Sequence, residues 1–477
     1  MPRPFFLHVC LFLCCLGCSA PRVLTPTRLP AVAPDLFAPY AADLTRIVAA
    51  ARADRGAFEK LTRLCDGIGN RLSGSPGLER AVAWAQAVLR ADGLANVHAE
   101  PVTVTHWLRG QESLELLTPR SAALTMLGLG GSVATPPDGL VAEVVVVHDE
   151  QELKALADRV PGRIVLFDNP MPAYTPESGA HYGETVRFRG HGAALAGKLG
   201  AVAVLVRSVT ARSLATPHTG NTRYDEAAPP IPAAAIATED AALLSRLAAH
   251  GETVTVRLKM QARTVGTAMS ANVLAELPGR ESPEQVVVIG GHLDSWDVGQ
   301  GAHDDGAGCV MAMQAVALLN RLGIQPRRTI RVVLWTNEEN GLAGAKAYAQ
   351  VHAGELAHHV AALEADSGAF QPEALTVEIE DAEQQAKAAL QLAQLVALLP
   401  QMRLAIRQAG SGADVAALKS ANVPLVGLVM ESSTYFDYHH TAADTLDKVD
   451  PALLAEGEAL FAALAYVLAQ WPGELGE

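Results

Sequence analysis

A short apolar run followed by histidine and acidic side chains is the part of this sequence that most directly predicts chemistry. Residues 285–289 read QVVVI, a β-branched segment typical of a buried strand. The loop that follows, residues 290–308, reads GGHLDSWDVGQGAHDDGAG and carries His292, Asp294 and Asp304. Imidazole nitrogens and carboxylate oxygens are the usual ligands of catalytic zinc, which also needs one open position for water. The segment therefore predicts a metal site at the end of a strand.

Further acidic and histidine side chains follow three later segments of the chain. These are Glu338 and Glu339 after RVVLW, Glu364 and Asp366 in ALEADSG, and His439, His440 and Asp444 in YHHTAADT. In an open α/β sheet the ligand crevice lies outside the carboxyl ends of the strands, so residues distant in sequence can meet there. Any one of these side chains alone favours an ordinary loop role, but together they predict one shared site.

These residues also carry a resemblance to a known family. The run HLDSWDVGQGAHDDGAG, followed by WTNEENG, LEADSG and HHTAADT, resembles the di-zinc metallopeptidases of family M28, and within it most closely the carboxypeptidase Q group. The motifs occur in the family's order, and the similarity extends from about Phe58 to about Leu468. The resemblance covers nearly the whole chain beyond its N-terminal segment.

The resemblance implies a role for each motif residue and two Zn²⁺ per subunit. His292 and Asp366 would hold one ion, Glu339 and His440 the other, Asp304 would bridge the two, Glu338 would be the general base, and Asp294 would orient a ligand imidazole. Adjacent residues of an extended segment point in opposite directions, which allows Glu338 and Glu339 different roles. The family places the ligand histidine directly before Thr or Ser, which selects His440 over His439. His303 departs from the family pattern, and we expect its ring to point away into packing.

The activity that the resemblance implies is that of a zinc-dependent exopeptidase acting on short peptides, in particular dipeptides with a free N-terminus. Alternatives are a general aminopeptidase, a single-zinc acyltransferase similar to glutaminyl cyclase, and a non-catalytic binding module on the same scaffold. Such a module typically lacks part of the ligand set, whereas here all five ligand positions and the base are filled. The zincin motif HExxH, the nucleophile elbow GxSxG and the phosphate loop GxxxxGK[ST] are absent. The resemblance further suggests a homodimer.

The elements that must position these residues predict an α/β fold, with a three-layer α/β/α peptidase domain. The sheet candidates are 272–277, 286–289, 331–334, 360–363 and 425–428, and the later helices are 308–322, 382–399 and 451–468. We expect an earlier helix over 43–64, a Gly/Ser loop over 70–77 and another helix over 78–91. The loop, NRLSGSPG, is either an ordinary connector or part of the substrate cleft. Residues 432, 433 and 435–437 are further candidates for the pocket.

Residues 124–260 differ in pattern from the rest of the chain, because short strand-like segments alternate there with helices and Pro-rich loops and carry no set of metal donors. This change predicts an inserted domain. Their strand-like segments, such as 144–147, 163–167 and 201–206, resemble the protease-associated α+β domain of the family. The resemblance implies that such an insert covers or shapes the active-site cleft rather than performing chemistry. We expect its histidines, His181, His191 and His218, to lie at the surface or in loops. The peptidase domain would then comprise 41–123 and 261–477.

The N-terminus predicts export. Residues 1–17 form a signal peptide, too short for a membrane span, and Cys18 is a candidate lipidation site of a bacterial lipoprotein, with 18–40 as its tether. A plain secretory signal cut near Ala20 is the alternative. The expected location is the bacterial periplasm or the cell surface, with membrane contact only through the lipid.

Composition excludes one class of partner and leaves one question open. The net charge of −14 becomes −15 once the single charge of Arg3 leaves with residues 1–17, and aromatic residues make up 5%. An acidic chain with few aromatics is not expected to bind nucleic acid. Beyond Cys18 the cysteines are Cys65 and Cys309, which either pair or lie buried as small hydrophobic residues.

Overall fold

The computed structural model describes residues 36–176, 178–212, 214–226, 228–407 and 410–477. The predicted signal peptide, Cys18 and residues 18–35 of the predicted tether lie outside this part. Phe37 is fully buried and packs edge-on against Trp471, with ring centroids 5.1 Å apart. The tether boundary predicted at residue 40 is therefore too late, because the packed structure already includes Phe37.

The described chain begins with three helices, continues with five strands, and then mixes helices and strands. The helices are α1 (Ala41–Ala53), α2 (Gly56–Gly67), α3 (Pro76–Ala91), α4 (Glu150–Ala155), α5 (Tyr182–Thr185), α6 (Arg187–Gly197), α7 (Thr238–Ala249), α8 (Ala307–Arg321), α9 (Ala343–Val351), α10 (Ala382–Ala397), α11 (Tyr435–Tyr438) and α12 (Pro451–Gln470). The strands are β1 (Ala95–Leu108), β2 (Glu112–Thr118), β3 (Ala122–Leu124), β4 (Met126–Gly128), β5 (Leu140–Val147), β6 (Ile164–Phe167), β7 (Ala203–Arg207), β8 (Ala233–Ile236), β9 (Thr255–Met260), β10 (Arg263–Leu277), β11 (Ser282–His292), β12 (Arg328–Trp335), β13 (His359–Glu364), β14 (Pro372–Glu378), β15 (Ala405–Arg407) and β16 (Leu425–Met430).

The first sheet carries the strands that end in the predicted site. Its order is β1-β10-β12-β11-β13-β16-β14-β15, and the four central strands, β12, β11, β13 and β16, run parallel. Val287 and Ile289 of β11 face a core shared with α8 and α12, whereas Val286 and Val288 face a second core that includes Tyr348 of α9. Side chains of one strand alternate between faces, so the sheet is covered on both sides. This is the predicted three-layer α/β/α arrangement.

Helix α12 lies at the centre of the larger core. It is long and apolar enough to cross a membrane by length and composition, but 83% of its most apolar window is buried inside the molecule. The helix contacts α1, α8 and β11. Within the described residues it is a core helix whose apolar surface is already covered by protein.

A second sheet is inserted between β1 and β10. Its order is β3-β2-β9-β5-β6-β7-β8-β4, with β5 to β8 parallel. The insert therefore occupies residues 109–262, whereas the sequence predicted 124–260. The start was placed too late because β2 pairs with β9, more than 130 residues further on, and a pairing at that separation leaves no local pattern.

A two-stranded ribbon joins the inserted unit to the first sheet. Strands β1 and β10 pair antiparallel from Ala95 opposite Glu276 to Leu108 opposite Arg263. The sequence predicted β10 only from residue 272, and β1, β14 and β15 were not among its strands. The helix predicted over 43–64 is interrupted at Asp54, whose carboxylate accepts hydrogen bonds from the N–H groups of Arg55 and Gly56 and starts α2 as a separate helix.

Candidate active site

Three of the predicted metal ligands meet at the end of β11. His292 is the last residue of this strand, and its Nε2 lies 3.1 Å from Oδ1 of Asp304 and 3.5 Å from Oδ1 of Asp366. Asp366 follows β13, the neighbouring parallel strand, and Asp304 lies in a short irregular helical segment, Ala302–Gly306. The three donor atoms are close enough together to hold one metal ion.

The remaining predicted ligands lie on the other side of Asp304. Nε2 of His440 is 3.1 Å from Oδ2 of Asp304 and 3.0 Å from Oε2 of Glu339. Glu339 follows β12, and His440 follows α11 with φ +62°. The structure thus brings all five predicted ligands together, with the carboxylate of Asp304 between two groups of donors.

Two carboxylate oxygens indicate that the site suits cations. Oδ2 of Asp304 and Oε1 of Glu339 are both buried and have no hydrogen-bond partner of acceptable geometry. A buried charged oxygen without a partner is costly, and a divalent cation would satisfy both atoms. The donor set of imidazoles and carboxylates fits zinc.

Asp294 acts on two neighbours, and only one was expected. Nδ1 of His292 lies 3.0 Å from the backbone carbonyl oxygen of Asp294, while the Asp294 carboxylate is 3.8 Å away. The carboxylate instead accepts hydrogen bonds from the backbone N–H of Glu338 at 3.1 Å and from the hydroxyl of Ser73 at 3.3 Å. Its backbone therefore orients the imidazole, and its side chain positions the predicted base.

The loop NRLSGSPG supports the candidate site through Arg71 and Ser73, and none of its residues lines the cavity above that site. Arg71 is fully buried and donates to the backbone carbonyls of Leu293 at 2.7 Å, Gln300 at 2.7 Å and Gly301 at 2.9 Å. These carbonyls belong to the loop between His292 and Asp304. Arg71 thus holds that loop in place, a role that no spacing in the sequence indicated.

Asp444 was grouped with the donors, and the structure gives it a supporting position. Its two carboxylate oxygens accept hydrogen bonds from the backbone N–H groups of His303 at 2.8 Å and Asp304 at 3.1 Å. Burial raises the pKa of Asp444 to about 7. Its place in HHTAADT was the signal that could have identified it as a support for Asp304.

The two doubtful histidines lie in different environments. The His303 ring is fully buried and stacks on Phe370 and Tyr438, at centroid distances of 4.6 Å and 5.8 Å, so it points away from the ligands as expected. His439 lies closer than expected, with Nε2 3.6 Å from Oδ2 of Asp304 and its ring stacked on His440 at 3.6 Å. His440 remains the better donor, because only its Nε2 also contacts Glu339.

The inserted unit reaches the site and contacts a candidate ligand. The backbone N–H of Thr219 donates to the His440 carbonyl at 3.0 Å, and the Thr219 carbonyl lies 3.2 Å from Nδ1 of His440. His218, expected at the surface or in a loop, is 2% exposed, and burial lowers its pKa to about 3. The loop TPHTG therefore orients a candidate ligand.

A cavity of about 900 Å³ opens above these residues. The first sheet's side contributes Asp304, Glu338, Glu339 and Asp366, and the inserted unit contributes residues of α5, α6 and the loop around Asn221. Of the pocket residues considered in the sequence, Ser432, Tyr435 and Phe436 line it. Ser433 and Asp437 line a smaller neighbouring cavity, where Asp437 pairs with Arg212 at 3.1 Å.

Burial and crowding of charge shift the pKa values here. Burial, together with the charges of Asp366 and Glu339, raises the pKa of Glu338 well above its usual range. Burial alone would lower the pKa of His292, but hydrogen bonds to Asp304 and Asp366 outweigh it and raise that pKa.

Away from the site, Cys65 and Cys309 are buried and form no disulfide, which answers the question the sequence left open.

Comparisons with known proteins give the family to which this chain is similar. The sequence profile of peptidase family M28 matches residues 272–465. Carboxypeptidase Q of Bos taurus is 41% identical over 419 residues, which cover 88% of this chain and 86% of that protein. The crystal structure of an M28 peptidase precursor from Shewanella amazonensis SB2B is 36% identical, with a TM-score of 0.87 over 93% of this chain and 99% of its own. A zinc aminopeptidase from Bacillus subtilis shares the fold at 18% identity, with a TM-score of 0.63 over 88% of this chain and 96% of its own.

Proposed function

The chain belongs to peptidase family M28 and is carboxypeptidase Q-like, and from that premise we propose that it is an exported two-zinc exopeptidase that hydrolyses dipeptides with a free N-terminus. The observation that supports this proposal is the meeting of His292, Asp304, Glu339, Asp366 and His440 around one carboxylate at the base of a cavity. A complete donor set favours catalysis over a binding module or a single-zinc acyltransferase.

Each candidate ligand has a position that suits its role. His292 and Asp366 would hold one zinc ion, Glu339 and His440 the other, and Asp304 both, because its two oxygens face the two groups. When bound, the ions supply Lewis-acid polarisation of the scissile carbonyl and make the attacking water acidic enough to react near neutral pH. The backbone contacts of His292 Nδ1 and His440 Nδ1 leave each Nε2 for a metal.

Glu338 is the group proposed to move the proton. It lines the cavity next to Asp304 and Asp366, and its backbone is held by Asp294. Burial raises its pKa, so the carboxylate is a strong enough base to take a proton from water and return it to the leaving amine. Glu339, its neighbour, faces His440 instead.

The proposed preference for small substrates follows from the cover over the cavity. The inserted unit, which we interpret as a protease-associated domain, contributes the wall that contains α6, and the cavity volume of about 900 Å³ lies in the range of small-molecule pockets. We expect a cavity of this size to favour short peptides over folded proteins. We further propose a periplasmic or cell-surface location, a lipid anchor at Cys18 and a homodimer, all of which come from the sequence.

A hydrolysis panel tests the proposal. Free dipeptides, N-acetylated dipeptides, amino-acid amides, longer peptides and an intact protein are incubated with the enzyme, with and without a chelator, and products are separated by chromatography. We expect chelator-sensitive cleavage of free dipeptides, little cleavage of N-acetylated ones and none of the protein. Release of C-terminal residues from long N-blocked peptides would contradict the proposal, and stepwise trimming from the N-terminus would indicate a general aminopeptidase.

A further inference from the structure

Arg189 of α6 is a cation at the cavity wall without an anionic partner. Its Nη1 lies 3.2 Å from Nδ1 of His440, and its Nη2 donates to the Tyr182 hydroxyl at 2.7 Å. Its Nε is buried without a hydrogen-bond partner. Among the residues that the structure describes, no carboxylate forms an ion pair with Arg189, whereas Arg187, which lies two residues earlier and also lines the cavity, is paired with Glu150.

The contact between Arg189 and His440 cannot persist once His440 acts as a ligand. Nδ1 of His440 also lies 3.2 Å from the Thr219 carbonyl oxygen. With Nε2 used for a metal, the ring proton is on Nδ1 and is donated to Thr219, so Nδ1 no longer accepts from Arg189. An arginine stays charged under all conditions and has only donors. Nη1 and Nε of Arg189 are then left without acceptors.

The charges around the cavity are mainly acidic on one side and basic on the other. Asp304, Glu338, Glu339 and Asp366 line the side of the first sheet together with Lys346, and the arginines of the inserted unit line the other side: Arg187, Arg189 and Arg223. A free dipeptide has a positive amine at one end and a negative carboxylate at the other. One residue of extended chain spans at most about 3.6 Å, so a carboxylate one residue beyond the scissile bond stays within the neighbourhood of His440.

A guanidinium is well suited to such a carboxylate. Its planar N–H groups form charge-assisted hydrogen bonds with both oxygens of a carboxylate, and these bonds are stronger than neutral ones. The group is also held in position, because Tyr182 binds Nη2 and its own ring stacks on Phe436 at a centroid distance of 4.7 Å. Gly220 leaves room for it, since a Cβ there would lie 2.4 Å from Nε of Arg189.

We infer that Arg189 binds the C-terminal carboxylate of the substrate, so that the enzyme selects dipeptides in which both ends are free. The inference extends the proposed function and depends on it. It assigns to the inserted unit a residue that touches substrate, and it gives a physical reason for a short substrate: a longer peptide places its carboxylate beyond the reach of Arg189, while the acids hold the amine end.

The test compares a dipeptide such as alanyl-leucine with its C-terminal amide. For the wild-type enzyme we expect kcat/KM to be about 10- to 100-fold higher for the free acid, the range of a charge-assisted contact. Arg189→Gln should remove this difference by lowering kcat/KM of the acid, mainly through KM, with the amide changed less than about threefold. Arg189→Lys should give a preference for the acid between those of the wild type and Arg189→Gln, because an ammonium keeps the charge but cannot donate two parallel hydrogen bonds to a carboxylate.

Two controls separate substrate binding from a structural role. Arg246→Gln makes the same change at an exposed position of α7 in the inserted unit, away from the cavity, and should behave as wild type. Zinc content of Arg189→Gln should equal that of wild type. An equal loss on acid and amide, or loss of zinc, would show that Arg189 only supports His440 and would overturn the inference.

A measurement on the wild-type enzyme keeps the inference testable even if the variants do not fold. Free leucine should inhibit competitively at concentrations at which leucinamide does not, because only the former has a carboxylate. Equal inhibition, together with equal hydrolysis of acid and amide, would contradict the role of Arg189 and leave the peptidase assignment intact. Absence of cleavage of every free dipeptide would instead contradict the proposed function itself.

Discussion

Glu338 and Glu339 are neighbours in the chain with different surroundings. Glu339 is buried and contacts His440, whereas Glu338 is half-buried and faces the cavity. Both residues lie in a turn that follows Asn337, which has φ +67°, so the turn and not strand alternation separates their side chains. The sequence allowed this separation of roles, and the contacts of each carboxylate now give it a structural basis.

Replacing Glu338 should remove catalysis and keep the metal. Glu338→Gln preserves the shape of the side chain and its backbone contact with Asp294 but removes the base. We expect kcat to fall by about a hundredfold or more, with zinc content unchanged by atomic absorption. Glu339→Gln is the matched control and should lose zinc instead. Loss of zinc from Glu338→Gln would identify Glu338 as a ligand.

Asp304 is the residue whose loss should affect both groups of ligands. Its Oδ1 faces His292 and its Oδ2 faces His440. We expect Asp304→Ala to lower zinc content at both positions together, as measured by titration with a chelating dye. Asp366→Ala, which touches only the His292 side, should lower one. If Asp304→Ala retained one zinc at full occupancy, the shared role would be wrong.

Sequence reasoning identified the charged residues of the site and missed those that hold them. His292, Glu339 and Asp366 follow apolar strands, and the motif pattern is local. Arg71, Thr219 and Asp444 act through backbone groups of segments far away in the chain. A contact with the backbone of a distant segment leaves no mark on the sequence around it, so Arg71 and Thr219 required coordinates, whereas Asp444 already stood in a motif of the site.

Glu458 is an acidic residue buried in the apolar core helix α12. It is fully buried in α12, and neither carboxylate oxygen has a hydrogen-bond partner. Burial, with a smaller contribution from the charge of Asp54, raises its pKa from 4.5 to about 8. At neutral pH the buried group is therefore held in its uncharged form.

This carboxyl should make the protein less stable as pH rises. Between about pH 4.5 and 8 the folded chain keeps the proton of Glu458 and the unfolded chain does not, so unfolding releases a proton and higher pH favours it. A difference of this size corresponds to roughly 4–5 kcal/mol. We expect Glu458→Gln to raise the free energy of unfolding at pH 8 and to flatten its pH dependence in urea titrations. Glu456→Gln, which loses a bidentate contact with Arg52, should keep the slope.

The predicted elements were most accurate where apolar runs are long. The helices expected over 308–322, 382–399 and 451–468 are α8, α10 and α12, with small changes at their ends. The errors occurred in strands whose position depends on pairing with distant strands. Strand β1 has the mixture of exposed and buried positions typical of an edge strand. The position of β2 is set by its pairing with β9, which lies far along the chain. Local periodicity reports burial, and burial in these strands depends on long-range neighbours.

Bound zinc should raise the melting temperature of the whole protein. Four acidic side chains, Asp304, Asp366, Glu338 and Glu339, line one cavity and repel each other when no cation is present. A ligand that binds only the folded state stabilises it by mass action. We expect chelation to lower the melting temperature by about 5 °C or more in calorimetry. Asp304→Ala should show almost no further decrease, and an unchanged melting temperature of wild type after zinc removal would contradict the expectation.

The ribbon of β1 and β10 determines how separable the two units are. Leu108 and Arg263 are opposite each other in its register, so the chain leaves and re-enters the first sheet at adjacent points. A two-residue turn could close that gap. Residues 109–262 can therefore be exchanged for another segment, in evolution or by protein engineering, without changing the strand order of the first sheet. The packing is less permissive, because Leu72, Trp107 and Trp296 are buried in the inserted unit's core. A transplanted segment would therefore have to bring, or be given, a matching apolar surface at its base.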